Sequence, residues 1–491
     1  MNITTKPLSL AAILLSLSSI LLISCSGTSG DADSVSTSAD SAGTGTETTA
    51  NDGTPVFPEM SFGGEAMHFL TEECTFADTY TSFEIYSAGA DGSLINDTVY
   101  NRNLIIEEKF DVRITEERLQ NASQVARDTI LAGDNVYDIV MPYLNKSVSN
   151  ALLGQYYDLN DVENLHLENS WWDQRANENL KVAGQLYFTT GDISILDNDC
   201  TMVMFFNKQL VGEYELPNPY ELVEKDTWTL NALFSMSAQM AGDVNGDGKM
   251  KAEDDRFGLY AAFNVPHSLY FGTGERIADT DADGNLALVM NNERAAEVIP
   301  YILENCLADF CMTHSVGFAD SVTAFMEGRL LFVGWALADI NSIRDCTFDF
   351  GILPYPKYEE SQSEYYSLIS TSLVPGVSIP ITNTEPEKAG LILEAMAYYS
   401  VDTLTEAYYE TALNNRYIRD EESGDMLDII FASRTYDFGF INDVGGLGLL
   451  IQNMYKGKQT NFVSKYEALE SKAKAELDEL TKAFAASESL Q

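Results

Sequence analysis

Between residues 66 and 141 short apolar runs alternate with segments of helical periodicity, and this alternation limits the fold more than any other feature of the chain. Residues 66–71 read as a strand. A helix follows, capped by Asn96 or Asp97, with Val99, Ile106 and Phe110 on one face. Residues 111–115 form a second strand, 123–131 a helix stopped by Gly133, and 137–141 a third strand. This order predicts an α/β fold with a largely parallel sheet. Ligands of such sheets sit at the carboxyl ends of strands, which makes Tyr143 and Asn145 candidate contacts.

The 491-residue chain is long for one hydrophobic core, so two lobes are expected. Residues 202–206 (MVMFF) give another strand, 373–380 (LVPGVSIP) a further one, and 385–399 a helix with a Pro-Glu first turn. Residues 461–484 space Phe462, Tyr466, Leu469, Ala473, Leu477, Leu480 and Phe484 by three or four, as a helix docked on one lobe does.

Residues 321–357 read as a helix end, a buried strand over Leu330, Leu331, Phe332 and Val333, a step at Gly334 and Trp335, a short helix, and a strand closing on Pro354 and Pro356. A strand that stops at a glycine before a large aromatic marks a place where backbone comes close to something and a flat apolar face is presented. Trp335 is thus either a ligand-facing platform or a core aromatic. Trp171 and Trp172 carry the same pair of readings: stacking on sugar rings, or packing under a loop.

The formal charge of −46 disfavours nucleic acid and anionic ligands, which its field repels. A neutral or cationic solute is favoured. At the N-terminus an apolar, Ser-rich run from Leu8 to Ile23 is short for a membrane span. Leu22, Ile23, Ser24 and Cys25 resemble the lipobox of bacterial lipoprotein signal peptides, which implies cleavage before Cys25 and lipid on its sulfur. Residues 26–55 hold Val35 as their only large apolar residue and read as a flexible leash with a reach of roughly 30 Å. The other five cysteines are odd in number and irregularly spaced, so they are not a disulfide framework, and Cys306 and Cys311 read as buried thiols. The four histidines form no zinc-spaced cluster.

Residues 243–254 (DVNGDGKMKAED) place Asp243, Asn245 and Asp247 at loop positions 1, 3 and 5, Gly248 at 6, the Lys249 carbonyl at 7 and Asp254 at 12. That spacing suits the oxygen shell of Ca²⁺, with Glu253 beside Asp254 as a substitute ligand; the alternative is a metal-free Asx-rich turn. A second such run, residues 279–285, has Met290 at position 12 and reads as a hairpin turn with φ > 0 at Asp283 and Gly284.

Taken together, GQLYFTTGDISI, MVMFFNKQLV, DTWTLNALF, FMEGRLLFVGWALADI, FDFGILPYPK and GVSIP, in order across residues 60–486, resemble the family 1 extracellular solute-binding proteins of ABC importers, the group that contains maltose-binding protein. The resemblance implies a type II periplasmic-binding-protein-like fold: two α/β lobes joined by crossing strands that close over a ligand. It implies a signal peptide at 1–24, a lipidated tether at 25–55, an N-terminal lobe of 56–190 plus 376–415, and a C-terminal lobe of 191–370 plus 416–491. Crossings are implied at 190–195, at 367–375 and near 413–417. In that family the segment equivalent to Gly334 and Trp335 carries an aromatic that stacks on sugar. Residues 142–146 match the family's ligand-contacting loop in position but lack its Trp and paired charges, which argues against a malto-oligosaccharide.

The expected function is a lipid-anchored, monomeric binding protein at the extracellular face of the membrane. It hands a neutral solute, foremost an oligosaccharide, to an ABC permease and binds no nucleic acid. Trp335, Asp192, Tyr143, Asn145 and Tyr270 are the expected ligand contacts. A peptide-binding importer component is one alternative and a surface glycoside hydrolase another. The hydrolase needs two positioned carboxylates, and none of the 75 acidic residues stands in a motif that marks it as acid or nucleophile. A dockerin-like partner role for residues 243–254 is a third.

Overall fold

The computed structural model describes residues 55, 57–409 and 421–487. Cys25, most of the tether and the implied crossing near 413–417 lie outside them. The first three strands, β1 (Glu65–Glu72), β2 (Val112–Leu119) and β3 (Ile139–Met141), form a parallel sheet in the order β2-β1-β3. Helices α1 (Leu94–Phe110) and α2 (Ala122–Ala132) make the crossovers. Ser93 is the N-cap of α1; Asp97 lies inside the helix, where its carboxylate accepts the backbone N–H groups of Asp91 and Gly92 at 2.7 and 3.2 Å. Gly133 ends α2 with φ of 78°.

A second sheet holds β4 (Met202–Asn207), β5 (Phe257–Ala261), β8 (Cys311–Thr313), β9 (Leu330–Ala336) and β10 (Phe350–Leu353) in the order β10-β4-β9-β5-β8. β4 is antiparallel to both neighbours, while β5 is parallel to β8 and β9. Nearly every residue of these strands is buried, as their unbroken apolar runs require of strands covered on both faces. Strands β6 (Ala278–Thr280) and β7 (Leu286–Leu288) form the hairpin expected from the second Asp-rich run, with positive φ at Gly284 alone.

Residues 373–380 do not form a continuous strand. They touch both sides by single bridges, Val140 to Ser378, Tyr143 to Pro375, Tyr156 to Pro380 and Thr189 to Val377, because Pro375 and Pro380 have no N–H to give a ladder. The last paired strands are β11 (Ser367–Leu368) and β12 (Arg434–Thr435). Helix α3 (Phe462–Ser487) buries Phe462, Tyr466, Ala473, Leu477 and Phe484, the predicted docking face. Among the described residues no helix is long and apolar enough to cross a membrane.

Candidate functional site

In the order β2-β1-β3 the chain leaves β1 toward one side and returns to β3 on the other, so the crevice of this sheet opens at the carboxyl end of β1. The loop that follows, residues 73–93, forms one wall of a cavity of about 730 Å³ with Asp78, Thr79, Thr81, Phe83 and Glu84, and Ser93, Ile95 and Asn96 at the start of α1 complete that wall. Ile195, Leu196 and Asp199, just before β4, form another, and Asn341, Ser342 and Arg344, just after β9, a third. The cavity therefore draws on both sheets.

Hydrogen bonds hold its walls together. Tyr80 donates from its hydroxyl to Asp339 Oδ1 at 2.7 Å and receives at its carbonyl the Tyr143 hydroxyl at 3.2 Å. Glu84, buried, accepts the hydroxyls of Ser82 at 2.6 Å and Ser194 at 3.0 Å. Asp199 accepts the Tyr408 hydroxyl at 2.8 Å. Burial, with Glu84 and Asp339 adding negative potential, pushes Asp199 up to about 7, although the Tyr408 bond opposes this. Asp339 is likewise raised by burial against the pull of its Tyr80 bond. Phe83 is 48% exposed, with the Arg118 guanidinium 4.5 Å from its ring centre.

Behind Asp199 lies an ion network. Arg434 donates to Asp173 at 2.8 Å and Asp197 at 3.2 Å, and to Asn198, while Tyr436 adds a hydroxyl to Asp173 at 2.8 Å. Asp192 is half-buried beside this network, and burial lifts it to about 6 against the opposing charge of Arg434.

The expected contacts separate. Trp335 is 3% exposed and is ringed by Phe205, Tyr260, Phe318 and Phe325 at 5.3–6.5 Å between centroids, so it sits in the core rather than on the cavity wall. β9 does not stop at Gly334; it runs through Ala336. A Cβ at Gly334 would fall 2.3 Å from the Tyr355 hydroxyl, so what approaches the backbone there is a side chain of the same sheet's surroundings, not a ligand. Tyr270 is fully buried and donates to the Arg276 carbonyl at 3.0 Å. Tyr143 is 5% exposed and reaches the cavity through Tyr80. Asn145 is half-buried, and its side-chain oxygen has no partner. Trp171 and Trp172 are both buried, and their indole N–H groups converge on Glu394 at 3.1 and 2.9 Å, which is the packing reading for the pair.

The residues missed from the sequence are Tyr80, Phe83, Glu84 and Asp199. The strand-end rule that selected the loop after β3 applies equally to the loop after β1, and would have found the first three.

Residues 243–254 lie on an exposed loop. Asp243 accepts the N–H groups of Gly246 and Gly248, both at 2.7 Å, Asn245 reaches Asp254 at 3.3 Å, and Lys251 pairs with Asp247. Lys249, whose carbonyl was expected at position 7, donates its N–H to Asp247 at 2.9 Å. The buried residue that closes the loop is Asp255, which accepts the N–H groups of Val244 and Lys251, both at 2.8 Å. Among the described residues no three His, Cys, Asp or Glu side chains are grouped to hold a metal ion.

No family model matches the chain, and no curated protein does. Solved structures match it along most of their length. The cyclo/maltodextrin-binding protein in complex with maltotetraose aligns at a TM-score of 0.53 and 14% identity, over 86% of this chain and 96% of that one. UspC of M. tuberculosis aligns at 0.53 and 13%, over 84% and 99%. An ABC substrate-binding protein of Listeria monocytogenes in complex with cycloalternan aligns at 0.51 and 12%, over 86% and 99%. The first and third of these neighbours are described as binding proteins. The chain has the two-domain, periplasmic-binding-protein-like α/β fold of the sugar-binding ABC substrate-binding proteins.

Proposed function

We propose that this protein captures an oligosaccharide in the cavity at the carboxyl end of β1 and delivers it to an ABC permease, held at the outer face of the membrane by lipid on Cys25. The observation that carries the reading is the cavity's composition. Hydroxyl, amide and carboxylate groups from three chain segments surround the exposed ring of Phe83, which pairs a stacking face with the donors and acceptors that sugar hydroxyls need. Structural neighbours that bind maltotetraose and cycloalternan support the same class of solute. The lipobox-like residues 22–25 support the anchor.

We further propose Ca²⁺ as a structural ion of the loop at residues 243–254, supported by the spacing of Asp243, Asn245, Asp247 and Asp254.

The test of function is a thermal-shift panel of glycans and peptides. A glycan-dependent rise in Tm, reduced in Phe83→Ala, is expected. A rise with peptides alone would transfer the reading to a peptide carrier, and turnover of any glycan would replace it with a hydrolase.

A further inference from the structure

The charge of the cavity deepens the carbohydrate reading, on which this inference rests. Asp199 ends the short helical turn before β4 and lines the cavity. One of its oxygens takes a neutral donor, the Tyr408 hydroxyl at 2.8 Å. Glu84 on the opposite wall is served by the hydroxyls of Ser82 and Ser194 and by the backbone N–H of Phe83, and Asp339 by the Tyr80 hydroxyl. Among the described residues none of these three carboxylates is in an ion pair.

The cations nearby are engaged elsewhere. Arg102, fully buried, gives its guanidinium to the Glu84 carbonyl at 2.5 Å rather than to the carboxylate. Arg344 at the rim is exposed and leans toward Asp345 at 3.9 Å. Arg118 lies over the Phe83 ring at 4.5 Å and is paired with Glu116 at 2.6 Å. A recess with several acceptors and neutral donors, whose bordering cations Arg118 and Arg344 are paired with other carboxylates, is short of positive charge at Asp199, and the chain's net charge of −46 draws cations toward it. Burial, with the negative potential of Glu84 and Asp339 added to it, raises Asp199 to about 7.

We propose that the captured oligosaccharide carries a protonated amine, and that its ammonium is seated against Asp199 while a ring face lies on Phe83. An ammonium brings three donors and a full charge to a carboxylate that already has one oxygen fixed by Tyr408.

Calorimetric titration of the full chain at about pH 7.0 decides the matter, with a glucosamine trimer, its fully N-acetylated counterpart, maltotriose and spermidine as probes. The amine trimer is expected to bind at least about tenfold tighter than either neutral trisaccharide. Asp199→Asn should erase that preference, bringing the amine trimer to the affinity of its acetylated counterpart. As a check independent of any variant, raising NaCl from about 0.05 to 0.5 M should weaken the amine trimer and leave the neutral ones unchanged. Equal affinity for amine and acetylated trimers, or a preference that survives in Asp199→Asn, overturns the amine proposal and leaves the carbohydrate reading intact. Binding of spermidine with no binding of any trisaccharide overturns the carbohydrate reading itself.

Discussion

Gly334 shows how far a residue can be read alone. Its neighbours marked it as a point of close approach, and it is one, but the partner is Tyr355, on the segment that follows β10. A methyl group at this position meets the Tyr355 hydroxyl at 2.3 Å and Val265 Cγ2 at 2.9 Å. Gly334→Ala should therefore cost about 1–3 kcal/mol through overpacking, as measured by urea denaturation. Tyr355→Phe should recover part of that loss in the double variant, because it removes the atom in closest conflict. Additive losses would show that the strain lies elsewhere. Trp335 next to it teaches the same lesson. Whether an indole is a platform or core filling depends on whether Phe205, Tyr260, Phe318 and Phe325 surround it, and they come from three separate elements, β4, β5 and the helix Phe318–Met326.

At the scale of elements, local pattern carried most of the strands and helices. β4 and β9 were legible as unbroken apolar runs, α3 as a three-and-four repeat, and the hairpin of β6 and β7 from its Asp-Gly turn. Residues 373–380 were read as a strand from the same kind of run, yet their two prolines and their neighbours on either side reduce them to single bridges. The loop at residues 243–254 belongs to this scale too. Its Asp243 and Asp255 carboxylates already organise the backbone, so a bound Ca²⁺ would add to a turn that is formed rather than create it. Addition of Ca²⁺ at about 100 times its Kd to chelator-treated protein should stabilise it by about 2.7 kcal/mol, read as a rise in Tm, and Asp243→Ala should abolish the response. A Tm indifferent to Ca²⁺ and to chelator would remove the metal.

For the whole molecule, buried carboxylates set the response to pH. Asp197 and Asp199 are pushed up to about 7, Asp192 and Asp437 to about 6, all mainly by burial. Each binds its proton more tightly folded than unfolded, so the native state holds more protons between about pH 4 and pH 7 and stability falls as pH rises through that window. His267, held at about 4 by burial, and His314, lowered by burial and by Lys456 and Lys458, pull the other way below the ordinary histidine value. Acidification also relieves self-repulsion in a chain of charge −46. Tm is therefore expected to be higher at pH 5.5 than at pH 7.5, and Asp199→Asn should reduce the difference; a Tm that climbs with pH would contradict this.

What the sequence by itself determined is the α/β alternation, the near-complete burial of the central strands and the acidity that disfavours anionic ligands, because periodicity and charge are properties of neighbouring residues or of the sum. The cavity was decided only by the tertiary structure. Its walls come from residues 78–96, 195–199 and 341–344, and no local rule tells which of three distant loops will face one another. Chain topology brings them together at the end of β1, and burial there, not residue type, separates Asp199 from the many other carboxylates of the chain.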